Sequence, residues 1–390
     1  MNSLKILGVM TGTSCDGQDA ACVEVHSQGW SVLWSDTRGY PSLLRKRVLE
    51  FQKPGSTHTT LHALELNRDL GLWYASSLKK IISGHSKKPD VIANHGQTVA
   101  HFPKARAKGT TLQLGDGTRI AAATGLTVVH QFGEGDLAAG GQGAPLAPRF
   151  HQLLAQRLDP KRQGISFHNL GGISNLSYFG PKGKVLAFDT GPANLWIDAA
   201  MTQFTSGRLH YDPQGKNAAR GQVDQQALDR VLKLPFFQAP PPKSTGRDDF
   251  PFELLLSFTR ARGEDLVATA TAITAQSIAQ AYRNWILKAR LPLKSIFLCG
   301  GGAKNQTLLS LLREQLPTLE VHPLNQPGLR IESVEATAFA LLGYLSLRGE
   351  PLGGEWTGAR LFAPPGSLIP GKNWLQVLEK ILTHRLKTRS

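Results

Sequence analysis

Residues 11–19 set hydroxyls, glycines and carboxylates between two apolar runs: Thr11, Gly12, Thr13, Ser14, Cys15, Asp16, Gly17, Gln18 and Asp19. Gly12 and Gly17 permit backbone angles closed to other residues, so successive amide N–H groups can converge on an anion. Thr11, Thr13 and Ser14 add hydroxyl donors, which together is the chemistry of a phosphate cradle. Asp16 and Asp19 would repel a bare phosphate, so they make sense beside a divalent cation that meets the phosphates directly or through water. The turn therefore points to ATP with Mg²⁺, and Asp16 is the carboxylate expected near the ion. A hairpin turn whose Ser and Asp side chains bond their own backbone has the same composition. Cys15 reads either as a reactive thiol or as a small filler.

Further candidates lie at the ends of predicted strands. Asp90 to Asn94 reads as a buried strand delivering His95-Gly96-Gln97-Thr98 at its carboxyl end, where α/β sheets place ligand sites; His95 is open to the alternative of a hydrogen-bonded core histidine. Asp116 sits between Gly115 and Gly117, a pattern that also simply makes a turn. Two more glycine turns follow strands: Gly171-Gly172 after Ile165 to His168, and Gly300-Gly301-Gly302-Ala303-Lys304-Asn305 after Ser295 to Cys299. The latter precedes a helix from Thr307, a place where phosphate or nucleoside approaches backbone. Glu335 opens a helix running to Leu345, where a first-turn carboxylate stabilises the helix end.

These residues need a frame. Leu4–Val9 and Ala20–Val25 read as a hairpin, Trp30–Trp34 as a third strand, and Leu61–Ile82 as a helix. Ile165–His168, Leu176–Phe179 and Val185–Asp189 repeat the strand, glycine turn, strand theme of the first half. Leu266–Leu287 reads as a long helix with one small, apolar face that packs and carries no chemistry. Residues 136–146, rich in Gly and Ala, read as a loop ordered by the good helix that follows, or as a linker. A chain with two phosphate-friendly turns in two similar halves has the organisation of the actin, sugar kinase and heat-shock chaperone superfamily, an analogy at the level of fold.

Composition narrows the field. The chain has 390 residues, suited to two domains, and no apolar run approaches the ~20 residues of a membrane span. No charged-then-apolar leader opens it, so a cytoplasmic location is expected. Three cysteines, Cys15, Cys22 and Cys299, form no metal-type spacing and no disulfide framework. The formal charge of +15 comes from scattered groups such as Arg45-Lys46-Arg47, Lys79-Lys80 and Lys87-Lys88, without an aromatic-interleaved stripe, so no specific nucleic-acid partner is expected. Such a surface still draws anionic ligands.

Seven strings in order resemble those of anhydro-N-acetylmuramic acid kinases: Gly12 to Asp19, His95 to Thr98, Gly140-Gly141-Gln142-Gly143-Ala144-Pro145-Leu146, Phe188-Asp189-Thr190-Gly191-Pro192, Lys243 to Asp248, Gly300 to Asn305, and Glu335-Ala336. The resemblance spans nearly the whole chain. It implies an α/β, two-domain, duplicated actin-like ATPase fold with a ligand cleft between the domains, divided at 1–135 (joined by a C-terminal helix near 370–390) and 136–369. It implies an ATP- and Mg²⁺-dependent kinase that opens the 1,6-anhydro ring with water and phosphorylates O6, in peptidoglycan recycling. Asp189 is then the base. Gly12 to Asp19, Gly171, Gly172, Gly301, Gly302 and Asn305 would hold ATP, while His95, Gln97, Thr98, Asp116 and Glu335 would meet the sugar. A homodimer is expected. By the residues alone, Asp189 could instead cap the helix from Leu195. Gln131-Phe132-Gly133 stands where the family has Asp-Phe-Arg, and Gln18 replaces an aliphatic residue. An arginine there would suit a lactyl carboxylate, so its absence leaves levoglucosan as an alternative sugar. A non-catalytic, nucleotide-dependent regulator on the same fold would have no use for Asp189.

Overall fold

A computed structural model describes residues 3–12, 15–27, 29–53, 55–102, 109–161, 163–325, 329, 333–354, 356–359 and 364–387, the side chains of 384–387 excepted. The chain divides into two compact units, Met1–Phe150 with Gln326–Ser390, and His151–Asn325. The sequence places those divisions at 135/136 and 369/370. The second difference has a physical origin: the helix Val334–Leu347 packs on β1, β2 and β4 of the first sheet.

The first unit's strands are β1 (Leu4–Thr11), β2 (Gly17–His26), β3 (Gly29–Gly39), β4 (Val91–Phe102), β5 (Thr110–Leu114) and β6 (Thr127–His130). The second contains β7 (Ile165–Leu170), β8 (Ile173–Phe179), β9 (Val185–Pro192), β10 (Ser295–Cys299) and β11 (Glu320–Pro323); β12 (Ser367–Ile369) returns to β6 of the first. Their orders are β12-β6-β4-β1-β2-β3, with β5 beside β4, and β11-β10-β7-β8-β9. In each unit two antiparallel pairings (β1–β2 and β2–β3; β7–β8 and β8–β9) are continued by two parallel ones (β1–β4 and β4–β6; β7–β10 and β10–β11). The same order twice is the duplicated actin-like arrangement, with β1–β2 and β7–β8 as equivalent hairpins.

Apolar alternation explains how the first sheet is covered. Leu7, Val9, Ala20, Cys22, Ile92 and Val128 face a core completed by Leu66, Leu70, Tyr74, Leu78 and Ile81 of the helix Thr60–Ser83. The opposite face receives the helix Val334–Leu347 at very short range: a methyl on Gly8 would collide with the Ala336 carbonyl oxygen, and one on Gly343 would lie 2.5 Å from Ala93 Cβ. In the second unit the helix Gly263–Tyr282 is buried all round, not on one face. Ala275, Ile278, Ala279 and Tyr282 meet the sheet's core, while Leu266, Val267, Ala270 and Ile273 meet a second core with Trp196 and Phe250. A helix apolar on every side has to lie between two layers. It continues as a π-helical turn, Arg283–Leu287.

Candidate functional site

In the second unit the glycine turns come together because their strands are neighbours. β7 and β10 run parallel with Asn169 beside Cys299, so the turns that follow them, Gly171-Gly172 and Gly300–Gly302, leave the same sheet edge. Gly302 sits against Leu170, and a methyl there would lie 2.7 Å from Leu170 Cβ. The helix Asn194–Phe204 starts at the same place: the N–H groups of Ala193 and Asn194 donate to the Gly172 and Gly171 carbonyls at 2.9 Å each, and Asn194 Nδ2 donates to the Leu170 carbonyl at 2.9 Å. Two backbone turns at the carboxyl ends of parallel strands, braced by this helix start, are a fitting place for a polyphosphate. Asn305 is engaged otherwise, since its side chain caps the helix Gln306–Gln315 by accepting from Leu308 N–H at 3.0 Å.

Asp189 lies on β9, which leads into this edge. The cap of the helix Asn194–Phe204 is Ala193, with no side-chain cap, so Asp189 is not a helix cap. Its backbone N–H donates to the Lys243 carbonyl at 3.0 Å, and its Oδ2 accepts the Thr245 N–H at 2.8 Å. Burial raises its carboxyl to about 6, against the opposing pull of the Thr245 bond and of the Lys243 charge. Lys243 in turn donates to the Phe236 carbonyl at 2.8 Å, lies 4.6 Å from the Phe236 ring centroid and is lowered by burial to about 8. The segment Lys243–Thr245 therefore clamps the carboxylate; it is not a free solvated loop.

Two groups here were given no role by the sequence, although Arg247 lies in the Lys243 to Asp248 string. Arg247 reaches over the β7–β8 turn, its guanidinium 3.7 Å from where a methyl on Gly172 would stand. Asp198, on the helix Asn194–Phe204, is raised by burial to about 7, with Arg247 pulling the other way. The available signal was a lone carboxylate inside the run Leu195-Trp196-Ile197-Asp198-Ala199-Ala200-Met201.

In the first unit Thr13 and Ser14 lie outside the described residues. The turn around them is anchored from below. Thr11 Oγ1 and Tyr74 Oη are 2.6 Å apart, Gln97 Nε2 donates to the Gly12 carbonyl at 3.2 Å, and Tyr40 Oη donates to Gln97 Oε1 at 2.8 Å. Gln97 is thus a fully buried support of the turn. Gln18 points into the same interior, its amide atoms buried without a hydrogen-bond partner among the described residues. Cys15 is buried at φ 56° and its thiol is pushed up to about 11, which leaves it as a filler and not a nucleophile. Asp16 is open to solvent, 3.5 Å from Arg45.

Glu335 and Asp19 form a separate group. Crowding by the surrounding protein, and then the Asp19 carboxylate, raise Glu335, although it keeps an exposed surface. One turn along, Phe339 stacks on His95 with ring centroids 4.3 Å apart. Burial lowers His95 to about 4, so the ring is neutral, and its Nε2 lies 3.3 Å from Thr98 Oγ1. The left-handed Gly96, at φ 76°, adds a residue to β4 and turns His95 and Gln97 to opposite faces of the sheet. Asp116 is spent on capping, accepting from the N–H groups of Thr118 and Arg119 at 2.9 and 3.4 Å. Asp136 is buried and accepts from Gly143 N–H and Thr357 Oγ1, each at 2.7 Å, so residues 136–146 are an ordered loop within the first unit. Gly133 has backbone where a side chain would go: a methyl there would lie 2.9 Å from the Gly143 carbonyl oxygen.

A protein of Acidithiobacillus ferrooxidans named anhydro-N-acetylmuramic acid kinase is 38% identical over 384 residues, covering 96% of this chain and 94% of its own. Its namesake in Gloeobacter violaceus is 39% identical over 389 residues, covering 95% and 100%, and that of Pasteurella multocida is 37% identical over 373 residues, covering 93% and 96%. Among solved structures, a ROK family glucokinase from Streptomyces griseus in complex with glucose and AMPPNP aligns over 87% of this chain and 98% of its own, at 12% identity and a TM-score of 0.37. Residues 4–371 match the family described as Anhydro-N-acetylmuramic acid kinase. With relatives above 30% identity along almost its full length, the chain belongs to the anhydro-N-acetylmuramic acid kinase family.

Proposed function

We propose that this protein uses ATP and water to convert 1,6-anhydro-N-acetylmuramic acid into N-acetylmuramic acid 6-phosphate. The observation that carries the reading is Asp189: a half-buried carboxylate held by a backbone N–H, raised to about 6, on the strand leading to two adjacent glycine turns. Asp189 accepts a proton from the water that attacks the anomeric carbon. The bond from that carbon to O6 breaks, O6 takes the γ-phosphoryl group, and ADP leaves. An ordinary glycosidase needs a second carboxyl to protonate the departing oxygen, whereas here the phosphoryl group captures it. One carboxylate is enough.

Gly171, Gly172, Gly301 and Gly302 offer backbone to the phosphates, and Arg247 adds a cation beside them. In the first unit, Glu335, His95 and Thr98 are assigned to sugar hydroxyls, and the Gly12–Asp19 turn to phosphate. Among the described residues no cluster of three or more His, Cys, Asp or Glu is set to hold a metal ion. Mg²⁺ suits the chain nonetheless, because it is commonly bound through one or two carboxylates, phosphates and water. Asp16 fits that role, its contact with Arg45 being long and exposed. Bound there, the ion would neutralise charge on the triphosphate. No helix among the described residues is long and apolar enough to cross a membrane. We place the enzyme in the cytoplasm, where its ATP is, and assign it a homodimeric state on the strength of the exposed Leu43, Leu61, Leu64 and Leu72 of the first unit.

The test is ADP release from the purified protein with a panel of anhydrosugars. Turnover is expected with 1,6-anhydro-N-acetylmuramic acid and not with levoglucosan, which lacks the lactyl and acetamido groups. Equal or better turnover of levoglucosan would overturn the substrate assignment, and ADP release indifferent to any sugar would overturn the reaction.

A further inference from the structure

The strand carrying Asp189 is irregular at one point. Ser174 pairs with Gly191 and Asn175 with Asp189, so Thr190 is an extra residue, a bulge in β9. Bulges redirect the side chains next to them. Thr190 is buried, and its hydroxyl donates to Ser174 Oγ at 2.7 Å. Behind Ser174 runs a line of buried polar groups. Ser174 Oγ is 2.6 Å from His168 Nε2, His168 Nδ1 is 3.1 Å from Tyr282 Oη, Tyr282 Oη is 2.8 Å from Ser166 Oγ, and Ser166 donates to the Ser177 carbonyl at 3.2 Å.

The donors in this line run one way. Ser166 gives its proton to a carbonyl, so it accepts from Tyr282; Tyr282 then accepts from His168 Nδ1–H, which leaves Nε2 to accept from Ser174, and Ser174 to accept from Thr190. Only a neutral His168 closes the line, and burial keeps it so. Tyr282, which stands between His168 and Ser166 in this line, is the last residue of the helix buried between the two cores of this unit. The same helix reaches the exit of the bulge through Thr274 Oγ1, 3.3 Å from the Pro192 carbonyl.

We propose that Thr190 is a positioning residue for Asp189: its hydroxyl, held through Ser174 and His168 by Tyr282, fixes the bulge that aims the carboxylate. The proposal rests on Asp189 being the base. With the bulge in place, Asp189 meets Thr245 N–H and Lys243 C=O. Without the hydroxyl, β9 can relax toward regular pairing, and a slip of one residue turns a side chain to the other face.

Thr190→Val removes the hydroxyl at nearly constant volume, while Thr190→Ser keeps it. In the valine variant kcat for sugar-dependent ADP release falls about 10- to 100-fold, the cost of a misplaced reacting group. ATP affinity is unchanged, and the acid limb of the kcat–pH profile moves upward as the Thr245 bond that favours the ionised carboxylate is lost. The serine variant stays within about threefold of the parent because the hydrogen bond survives. A valine variant that melts cooperatively and keeps the parent's kcat and acid limb overturns the proposal. Should that variant not fold, Tyr282→Phe, which removes only the hydroxyl that holds His168, is judged by the same two readouts. Asp189→Asn is run alongside: if it is active the base assignment falls and this proposal with it, whereas an inactive Asp189→Asn beside a parent-like Thr190→Val removes only the positioning role.

Discussion

As the proposed base, Asp189 combines two demands that usually conflict. A general base works best when its pKa lies near the working pH, but an isolated carboxylate lies well below it. Burial supplies the upward shift, and the single Thr245 N–H keeps the group oriented without returning it to the ordinary range. In the folded protein the proton leaves at about 6, and in the unfolded chain at the usual lower value. The folded state therefore binds this proton more tightly, so the stability linked to Asp189 is present below the unfolded value and is lost as pH rises to about 6. Two outcomes follow from this one group. The parent's kcat/KM for the sugar rises with pH through an apparent pKa near 6, and Asp189→Asn loses ~10²–10⁴-fold in kcat while melting no lower than the parent at pH 7. Steady-state rates across pH, with calorimetry of both proteins, check this. An asparagine variant that melts well below its parent would mean that Asp189 stabilises the fold as an anion, and an acid limb in the ordinary carboxylate range would place the base elsewhere.

At the scale of elements, the helix Val334–Leu347 fits very closely on the β1–β2–β4 face of the first unit. Gly8 faces the Ala336 carbonyl and the Ala340 N–H with no room for a methyl, and Gly343 stands against Ala93. This contact sets Glu335 beside Asp19 and Phe339 on His95. Gly8→Ala should therefore cost ~3 kcal/mol, the upper end of overpacking, and weaken sugar binding as it does so; urea unfolding and sugar titration together measure it. A variant as stable as its parent would show that helix and sheet can separate freely. The strands and the glycine turns were legible in the sequence because alternation and glycine are local signals. What the sequence hid is non-local. Gly96 in the left-handed region sends His95 and Gln97 to opposite faces, Thr245 reaches Asp189 from 56 residues away, and β12 pairs with β6 from the far end of the chain. Likewise, the buried second face of the helix Gly263–Tyr282 depends on a layer, around Trp196 and Phe250, that no local period announces.

For the molecule as a whole, the dominant long-range property is its charge of +15. Some of its cations are engaged locally: Arg47 pairs with Asp69 at 2.6 Å, Lys380 with Asp90 at 2.8 Å, and Lys88 Nζ donates to the Ile82 and Ser83 carbonyls at a helix end. The basic residues lie in scattered groups along the sequence, which favours a diffuse positive field. A diffuse field accelerates the encounter with small anions and is screened over about 8–10 Å at physiological salt. For this protein, kcat/KM for ATP should fall several-fold between ~20 and ~200 mM salt with kcat nearly constant, because salt screens the approach and not the bound state. Duplex DNA, which gains only sequence-independent phosphate contacts, should bind no tighter than ~10⁻⁶ M at physiological salt and show a steep salt slope. Stopped-flow ATP binding and fluorescence anisotropy with a labelled duplex measure the two arms. A salt-independent kcat/KM would show that the charge has no part in capture, and submicromolar, sequence-dependent DNA binding that survives physiological salt would show a nucleic-acid surface assembled from these scattered cations.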